Sequence, residues 1–471
     1  MSAELHSVGT HLWALFLVVV FFEGSVFVHE LGHFLAARRN GMRIERFSIG
    51  FGPPIWSHRA ADGVEYSLCC IPLGGYVLLP QLADLGMIEG RSESAAADLP
   101  PASYGAKMVT FVAGAVFNLL FAFVLSCVIW VVGQPVSNSV TTTRIGYVNQ
   151  TVELPDGSKV PSPALAAGLR AGDVIRAIDG RSVSEWPDVS EAIAIGTGRG
   201  DNDQPRTVFT IERDGRELQV PVYPRIATFD RIRQVGIVSA DTPVVFQVAA
   251  GSAAAKAGLL PGDQILSLDG RPVWSELSVW EYLLENASRP VSAGVLRGGR
   301  NLTLAFAPRP DAKPDADFGL EFQVGFHLVH LSPFAQIWEQ VSATFRTLGS
   351  LLNPHSDVGL SKMSGPIGIA HNLMQSATQS GIQAVLWFTI LINVNLAIFN
   401  LLPLPVLDGG QMLFATIGRL RGRALPLDFV TTAQVVFSVL LVSMIFYISV
   451  FDVRRWQHDR QVESAATLAK P

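Results

Sequence analysis

The stretch Val28-His29-Glu30-Leu31-Gly32-His33 carries the clearest chemistry in the chain. Two histidines four apart share one face of a helix and can grip a single metal ion. Glu30, next to the first histidine, can accept a proton from a water activated there. This HExxH spacing suits hydrolysis at zinc. Its setting is unusual. His11 to Phe27 is almost wholly apolar, and Phe34-Leu35-Ala36-Ala37 prolongs the run to Arg38 and Arg39. A charge at the bilayer centre costs about 2.5–3.5 kcal/mol on insertion scales, so ionisable residues in such a run are usually functional. Glu23 is a second acid in the run, seven residues before Glu30 and on a similar face. Two readings of it stand: a hydrogen bond within a helix bundle, or control of water access and of the protonation of Glu30.

A second constellation lies far downstream. Asn393-Val394-Asn395-Leu396-Ala397-Ile398-Phe399-Asn400 runs on through Leu401-Leu402-Pro403-Leu404-Pro405-Val406-Leu407 to Asp408-Gly409-Gly410. Two prolines break the apolar run and carry the chain out of helical geometry, freeing backbone carbonyls. A catalytic zinc takes three protein ligands and leaves one position open, and two histidines with a carboxylate are one such set. Asp408, on the same membrane side as His29 and His33, is therefore expected as the third ligand.

The elements that must hold these residues are membrane helices. Of 471 residues, 49% are apolar and 16% charged. That balance fits a membrane protein with water-soluble parts. A net charge of −5 offers nothing to nucleic acid. Adjacent Cys69 and Cys70 poorly suit a mutual bridge and Cys127 lies in an apolar run, so no disulfide framework and no Cys-based zinc site is expected. Four stretches, 12–37, 108–132, 384–402 and 429–451, are long and apolar enough to cross a bilayer. The N-terminus lacks a basic region, and cleavage after its apolar run would discard the zinc motif, so a retained helix is expected. Arg38, Arg39, Arg43, Arg46, Arg59 and Lys107 lie between the first two spans, and Arg419, Arg421 and Arg423 between the last two. By the positive-inside rule these loops are cytoplasmic, and both termini and the long middle region are outside. Arg454 and Arg455 argue weakly the other way.

Between the first two spans, Phe47-Ser48-Ile49-Gly50-Phe51-Gly52, Val64-Glu65-Tyr66-Ser67-Leu68 and Cys70 to Leu79 read as strands turned by glycine. A sheet edge beside the zinc helix would hold an extended peptide through main-chain hydrogen bonds. A small hairpin without a substrate role remains the other reading. Residues 80–103 are polar and read as a loop.

The middle of the chain is duplicated. Ser162 to Ile175 with Asp179-Gly180-Arg181 aligns with Ser252 to Ile265 with Asp269-Gly270-Arg271. Each copy reads as a short helix, a Gly-Asp turn, a strand and a tight Asp-Gly turn. The pattern resembles PDZ domains of bacterial envelope proteases. Arg144 to Val148 and Gln234 to Val238 are the candidate peptide-facing strands, and the pair either binds peptide ends or serves as bulky plugs. Residues 308–320 read as a linker. Phe334, Ile337, Val341, Phe345 and Leu348 then recur at helical spacing, an amphipathic helix expected to pack against the membrane or the duplicated domains.

The whole order resembles an RseP-type site-2 protease: HELGH in a first span, Pro72-Leu73-Gly74-Gly75-Tyr76-Val77, tandem PDZ modules and Asn400-x-x-Pro403-x-Pro405-x-Leu407-Asp408-Gly409. The fold the resemblance implies is a polytopic α-helical membrane protein with a membrane-associated β-hairpin region and two inserted PDZ-like α+β domains. Its parts would be a first transmembrane helix at 1–37, a membrane-re-entrant β region and loop at 38–107, a second helix at 108–133, PDZ-like domains at 140–226 and 232–308, a linker and amphipathic helix at 309–383, and helices at 384–410 and 429–452. It implies Zn2+ held by His29, His33 and Asp408, Glu30 as general base, and Asn400 and Asn395 in contact with unwound substrate. Asn118, Gly74, Gly75 and Tyr76 are implicated with them. Many members have proline after the glycine of Gly114-Ala115-Val116-Phe117-Asn118; its absence here weakens the parallel for Asn118. The implied activity is cleavage of transmembrane segments in a bacterial inner membrane, on single-pass substrates such as a trimmed anti-sigma factor or remnant signal peptides. The competing class is a non-catalytic PDZ membrane adaptor with a structural zinc site. An intact Glu30 argues against it, because a structural site needs no base beside its ligands.

Overall fold

The computed structural model describes residues 2–82, 99–227, 232–306, 319–354, 356–357, 359 and 362–468. Most of the loop expected at 80–103, and nearly all of the linker expected at 308–320, lie outside the described residues. The chain divides into two compact units. One comprises Met1–Gln134, His330–Leu348 and Ser361–Pro471; the other comprises Pro135–Val329 and Gly349–Leu360.

The first unit is helical. We label its helices α1 (Ser2–Arg39), α2 (Tyr104–Val132), α3 (Pro333–Leu352), α4 (Pro366–Gln375), α5 (Gly381–Asn400), α6 (Asp408–Leu420) and α7 (Leu427–Leu468). Stretches Leu12–Arg39, Tyr104–Val132, Gly381–Asn400 and Leu427–His458 are long and apolar enough to cross a membrane. These match the four spans expected from hydropathy. Ser103 caps α2 by accepting from the Ala106 N–H at 3.2 Å. Helices in hydrocarbon gain little from burying apolar side chains, so small residues let their backbones approach. Gly32 shows this: a Cβ there would lie 2.5 Å from the Ala113 carbonyl of α2.

Two strands join α1 to α2: β1 (Arg46–Arg59) and β2 (Glu65–Leu78), paired antiparallel with several register shifts. Arg46–Ile49 is opposite both Gly75–Leu78 and Glu65–Leu68, while Trp56–Arg59 is opposite Glu65–Leu68. Arg46–Ile49 is thus an inner strand and Gly75–Leu78 an edge. The hairpin is fastened to α1 by aromatic contacts: Phe47 sits edge-on to Phe27 and Phe34, at 5.9 and 5.3 Å between ring centres. Phe34, Phe47, Val77, Phe111 and Phe414 share one buried cluster, which draws in α2 and α6.

Helix α3 departs from expectation. Ile337 and Val341 pack on α2 and α5 as the spacing suggests. Phe334 and Phe345, however, are exposed, and so is Trp338, whereas Gln336, Gln340 and Thr344 are buried. Gln336 donates to the Ser126 carbonyl at 3.2 Å. The helix turns polar groups inward, an order that suits an apolar surrounding rather than water.

The second unit holds two modules with one element order. The second module has sheet strands Arg300–Phe306, Val291–Arg297, Gln264–Leu268, Val244–Val248 and Leu320–Gln323 in spatial order. The first repeats this with Arg216–Val222, Thr207–Arg213, Val174–Ile178, Ile145–Val148 and Ile237–Ser239. The duplication extends to side chains. Arg213 bridges Asp173 (2.7 Å) and the Gly168 carbonyl; Arg297 bridges Asp263 (2.7 Å) and the Gly258 carbonyl. Asp179 and Asp269 take φ of 49° and 47° at matching turns. The strand partners differ from those expected. Ile237–Ser239 pairs with Ile145–Val148, so the two candidate peptide strands complete one sheet between them. A boundary at 232 would separate them, and the second module takes Leu320–Gln323 from the segment read as linker. In each copy the closing strand returns from beyond the repeated motif, which a repeat alignment running from Ser162 to Arg181 and from Ser252 to Arg271 does not reach.

Candidate active site

His29 and His33 lie on one face of α1, and their Nε2 atoms stand 3.1 Å apart. Asp408 begins α6, where the helix dipole favours a carboxylate. Prolines 403 and 405 end helical geometry, and the chain turns back through Leu401–Leu407 so tightly that a side chain on Gly409 or Gly410 would strike the carbonyls of Leu401, Leu402 and Leu404. This turn delivers Asp408 Oδ2 to 3.3 Å from His29 Nε2 and 3.4 Å from His33 Nε2. The three ligand atoms all lie within 4.8 Å of one another.

The donor set fits zinc. Asp408 Oδ2 is buried and has no hydrogen-bond partner, the state of an acceptor waiting for a cation. His33 Nδ1 is 2.8 Å from the Thr110 carbonyl, which makes Nδ1 the protonated nitrogen and leaves Nε2 bare. Asn118 Nδ2 stands 3.3 Å from His29 Nδ1, while its buried Oδ1 has no partner. Amide O and N exchange places by a half-turn. After that turn Oδ1 accepts from His29 Nδ1–H, and His29 Nε2 is bare as well. Gly114 leaves room for both rings: a Cβ there would lie 2.5 Å from His33 Nε2 and 2.6 Å from His29 Cε1.

Glu30 is half-buried beside these residues, and the Val77 backbone N–H of the edge strand faces its carboxylate. Gly75 is pressed against it; a Cβ there would lie 3.3 Å from Glu30 Cγ and 2.8 Å from the Ser48 carbonyl. Gly74 donates its N–H to Glu23 Oε1 at 3.1 Å. The Tyr76 hydroxyl accepts from Arg46 at 3.3 Å, and its ring stacks on Phe51.

Of the residues expected from the sequence, His29, Glu30, His33, Asp408, Asn118 and Gly75 meet here. Asn400 joins them, its Nδ2 3.4 Å from His29 Nε2. Asn395 does not; its Oδ1 accepts from Thr344 of α3 at 2.6 Å. Asn393 occupies the place instead, donating to Ser25 Oγ at 2.8 Å, one turn before His29. Helical phase was the available signal, since Asn393 and Asn400 are seven residues apart and share a face, while Asn395 does not. Thr110 acts through its backbone carbonyl, which no side-chain pattern marks, and Gly114 stands out in the sequence only as the start of the stretch to Asn118, not for the room it leaves the two rings.

Hydrolysis at a metal, carried out among helices apolar enough to span a bilayer, is the class of enzyme this arrangement defines. A sequence model of Peptidase family M50 matches residues 16–444, and the chain belongs to that family. It is similar to the Regulator of sigma E protease of Salmonella typhi, 32% identical over 448 residues that cover 87% of this chain and 92% of that one. It is equally similar to the Regulator of sigma-E protease RseP of Escherichia coli K12, 32% identical over 440 residues with the same coverage. Further relatives carry the words zinc metalloprotease in their names. A solved PDZ domain of an SdrC-like protein from Listeria monocytogenes covers 18% of this chain and 90% of its own, at 23% identity and a TM-score of 0.16. The protein is a zinc-dependent intramembrane protease of a bacterial inner membrane.

Proposed function

We propose that His29, His33 and Asp408 hold the zinc ion, that Glu30 is the general base, and that the reaction cuts a peptide bond inside an unwound transmembrane segment of a single-pass protein. The convergence of His29, His33 and Asp408, with Asp408 Oδ2 buried and unpartnered, carries this reading. Zinc held there would polarise the scissile carbonyl and lower the pKa of its water toward about 7. Glu30 takes the proton from the attacking water and returns it to the leaving nitrogen. Thr110 and Asn118 orient the imidazoles. Asn400 borders the site and is placed to hold a carbonyl that helix unwinding has exposed.

A helical substrate hides its carbonyls, so it must be extended before it can be cut. The edge Gly75–Leu78 supports strand addition as the means, since Arg46–Ile49 occupies its other side. Gly74, Gly75 and Tyr76 would then lie along the substrate. In this reading the hairpin is membrane-associated. The two duplicated modules are PDZ-like, lie outside with both termini, and exclude substrates whose outer domains are untrimmed. Trimmed anti-sigma factors and remnant signal peptides are the substrate classes this favours.

The test uses purified full-length protein and a model transmembrane substrate. Glu30→Gln keeps the ligands and removes the base, so cleavage should fall by at least about 10²-fold while bound zinc, measured by atomic absorption, stays level. A chelator should stop the wild-type reaction. Equal cutting by Glu30→Gln would sink the mechanism.

A further inference from the structure

Glu23 is an acid inside the first apolar span, and the mechanism above makes no use of it. It belongs to the same face of α1 as Glu30, seven residues and two turns away. Both carboxylates meet one strand. Gly74 N–H donates to Glu23 Oε1 at 3.1 Å, and Val77 N–H faces the Glu30 carboxylate. Between them Gly75 rests on Val26 and Glu30; a Cβ there would lie 3.5 Å from Val26 Cγ1 and 3.3 Å from Glu30 Cγ. The dimensions agree. Seven helical residues rise about 10.5 Å, and three extended residues span about 10 Å. The strand Gly74–Val77 therefore runs along α1 from one acid to the other.

A one-residue slip of a strand changes every partner along it. At the Gly74 end the strand has no side chain of its own to lock it, only the Phe51 ring laid against its backbone. Gly74 has φ of 101° and no side chain, and a Cβ there would collide with the Phe51 ring. The hydrogen bond to Glu23 adds a directional anchor to that contact. The second carboxylate oxygen, Oε2, is buried and without a partner, so neither oxygen is turned to solvent.

We propose that Glu23 is a positioning residue that fixes the register of the edge strand against Glu30, and so decides which substrate bond is cut. A substrate strand paired on Gly75–Leu78 takes its register from that edge, and the scissile bond is the one brought level with Glu30. This inference rests on the reading that the edge strand holds substrate, and the test separates the two.

The experiment maps cleavage positions in a model transmembrane substrate by mass spectrometry, using full-length enzyme. Wild type should give one principal bond. Glu23→Gln, which keeps an acceptor for Gly74 N–H, should give the same bond. Glu23→Ala should spread the cuts over neighbouring bonds and raise KM roughly tenfold, with kcat less affected. A merely structural role would lower the yield of active enzyme and leave the cleavage pattern unchanged. An unchanged pattern in Glu23→Ala overturns the proposal, as does a Glu23→Gln pattern as ragged as that of Glu23→Ala. Should Glu23→Ala not fold, Glu23→Asp, one methylene too short to reach Gly74, reads the same quantity by the same criteria. Cleavage that persists in Glu30→Gln at the wild-type rate would mark failure of the underlying mechanism instead.

Discussion

Gly114 does chemistry by having no side chain. Its α-carbon faces both imidazoles, and a methyl group there would stand 2.5 Å from His33 Nε2 and 2.6 Å from His29 Cε1. Contacts that close cannot be absorbed by a helix, because the clashing atoms are the ligand rings and the ring of His33 is tied to the Thr110 carbonyl. Gly114→Ala should therefore weaken zinc binding by roughly 10–100-fold, the range found when ligand-orienting contacts are lost. Zinc content after equilibrium against a graded metal buffer measures this directly; unchanged affinity would show that the rings stand elsewhere. The three residues proposed to hold zinc were legible because their chemistry is written in residue type and spacing. Glu23 was conspicuous but could not be assigned, since its partner is a backbone N–H fifty-one residues away. Asn395 was misdirecting: it has the right chemistry on the wrong face of α5, turned to Thr344.

At the scale of elements, the four spans and the repeat were legible because length, hydropathy and self-similarity are local properties. What closes each module was not, because the closing strand lies outside the repeated motif. The first module shows a second feature that no local pattern predicts. Arg233 has a fully buried side chain, and its Nε donates to Asp357 Oδ2 at 2.6 Å; Arg199 binds the other oxygen at 3.0 Å. Removing the carboxylate strands a buried guanidinium, a loss of roughly 3–5 kcal/mol. Burial alone would raise the Asp357 carboxyl, but its hydrogen bonds from Arg233 and Arg199 outweigh burial and hold it below the usual value. A depressed folded-state pKa adds stability above the unfolded value, near about 4, and that stability fades as pH falls toward the folded value. Asp357→Asn should lower the melting temperature of this unit at neutral pH, and the gap from wild type should narrow below about pH 4. A constant gap across that range would assign the loss to packing instead.

For the molecule as a whole, orientation rests on which short loops carry cations, because long translocated domains contribute little to that rule. Six arginines and Lys107 lie between the first and second spans, and Arg419, Arg421 and Arg423 between the third and fourth. The opposing signal came from Arg454 and Arg455 after the last span. The structure changes its weight. Asp452 is buried, accepts from the Gly365 and Gly368 backbone N–H groups of α4, and pairs with Arg455 at 2.7 Å; the same Arg455 nitrogen donates to the Met363 carbonyl. Arg455 is thus spent on holding the start of α4 to α7, and its charge is matched within the bundle rather than offered to a membrane surface. Arg454, lying over the Phe451 ring at 5.7 Å, and Arg460, over the Trp456 ring at 4.1 Å, are too few against ten cations. The expected result is that a paired reporter, active as phosphatase outside and as a fluorescent protein inside, reads outside when inserted within 140–300. Inserted between Arg421 and Leu427 it should read inside. Arg455→Gln should leave both readings unchanged, since that cation does not vote, but should loosen α4 and lower thermal stability in detergent. A fluorescent signal from the 140–300 insertion would reverse the orientation and place the site near the opposite face.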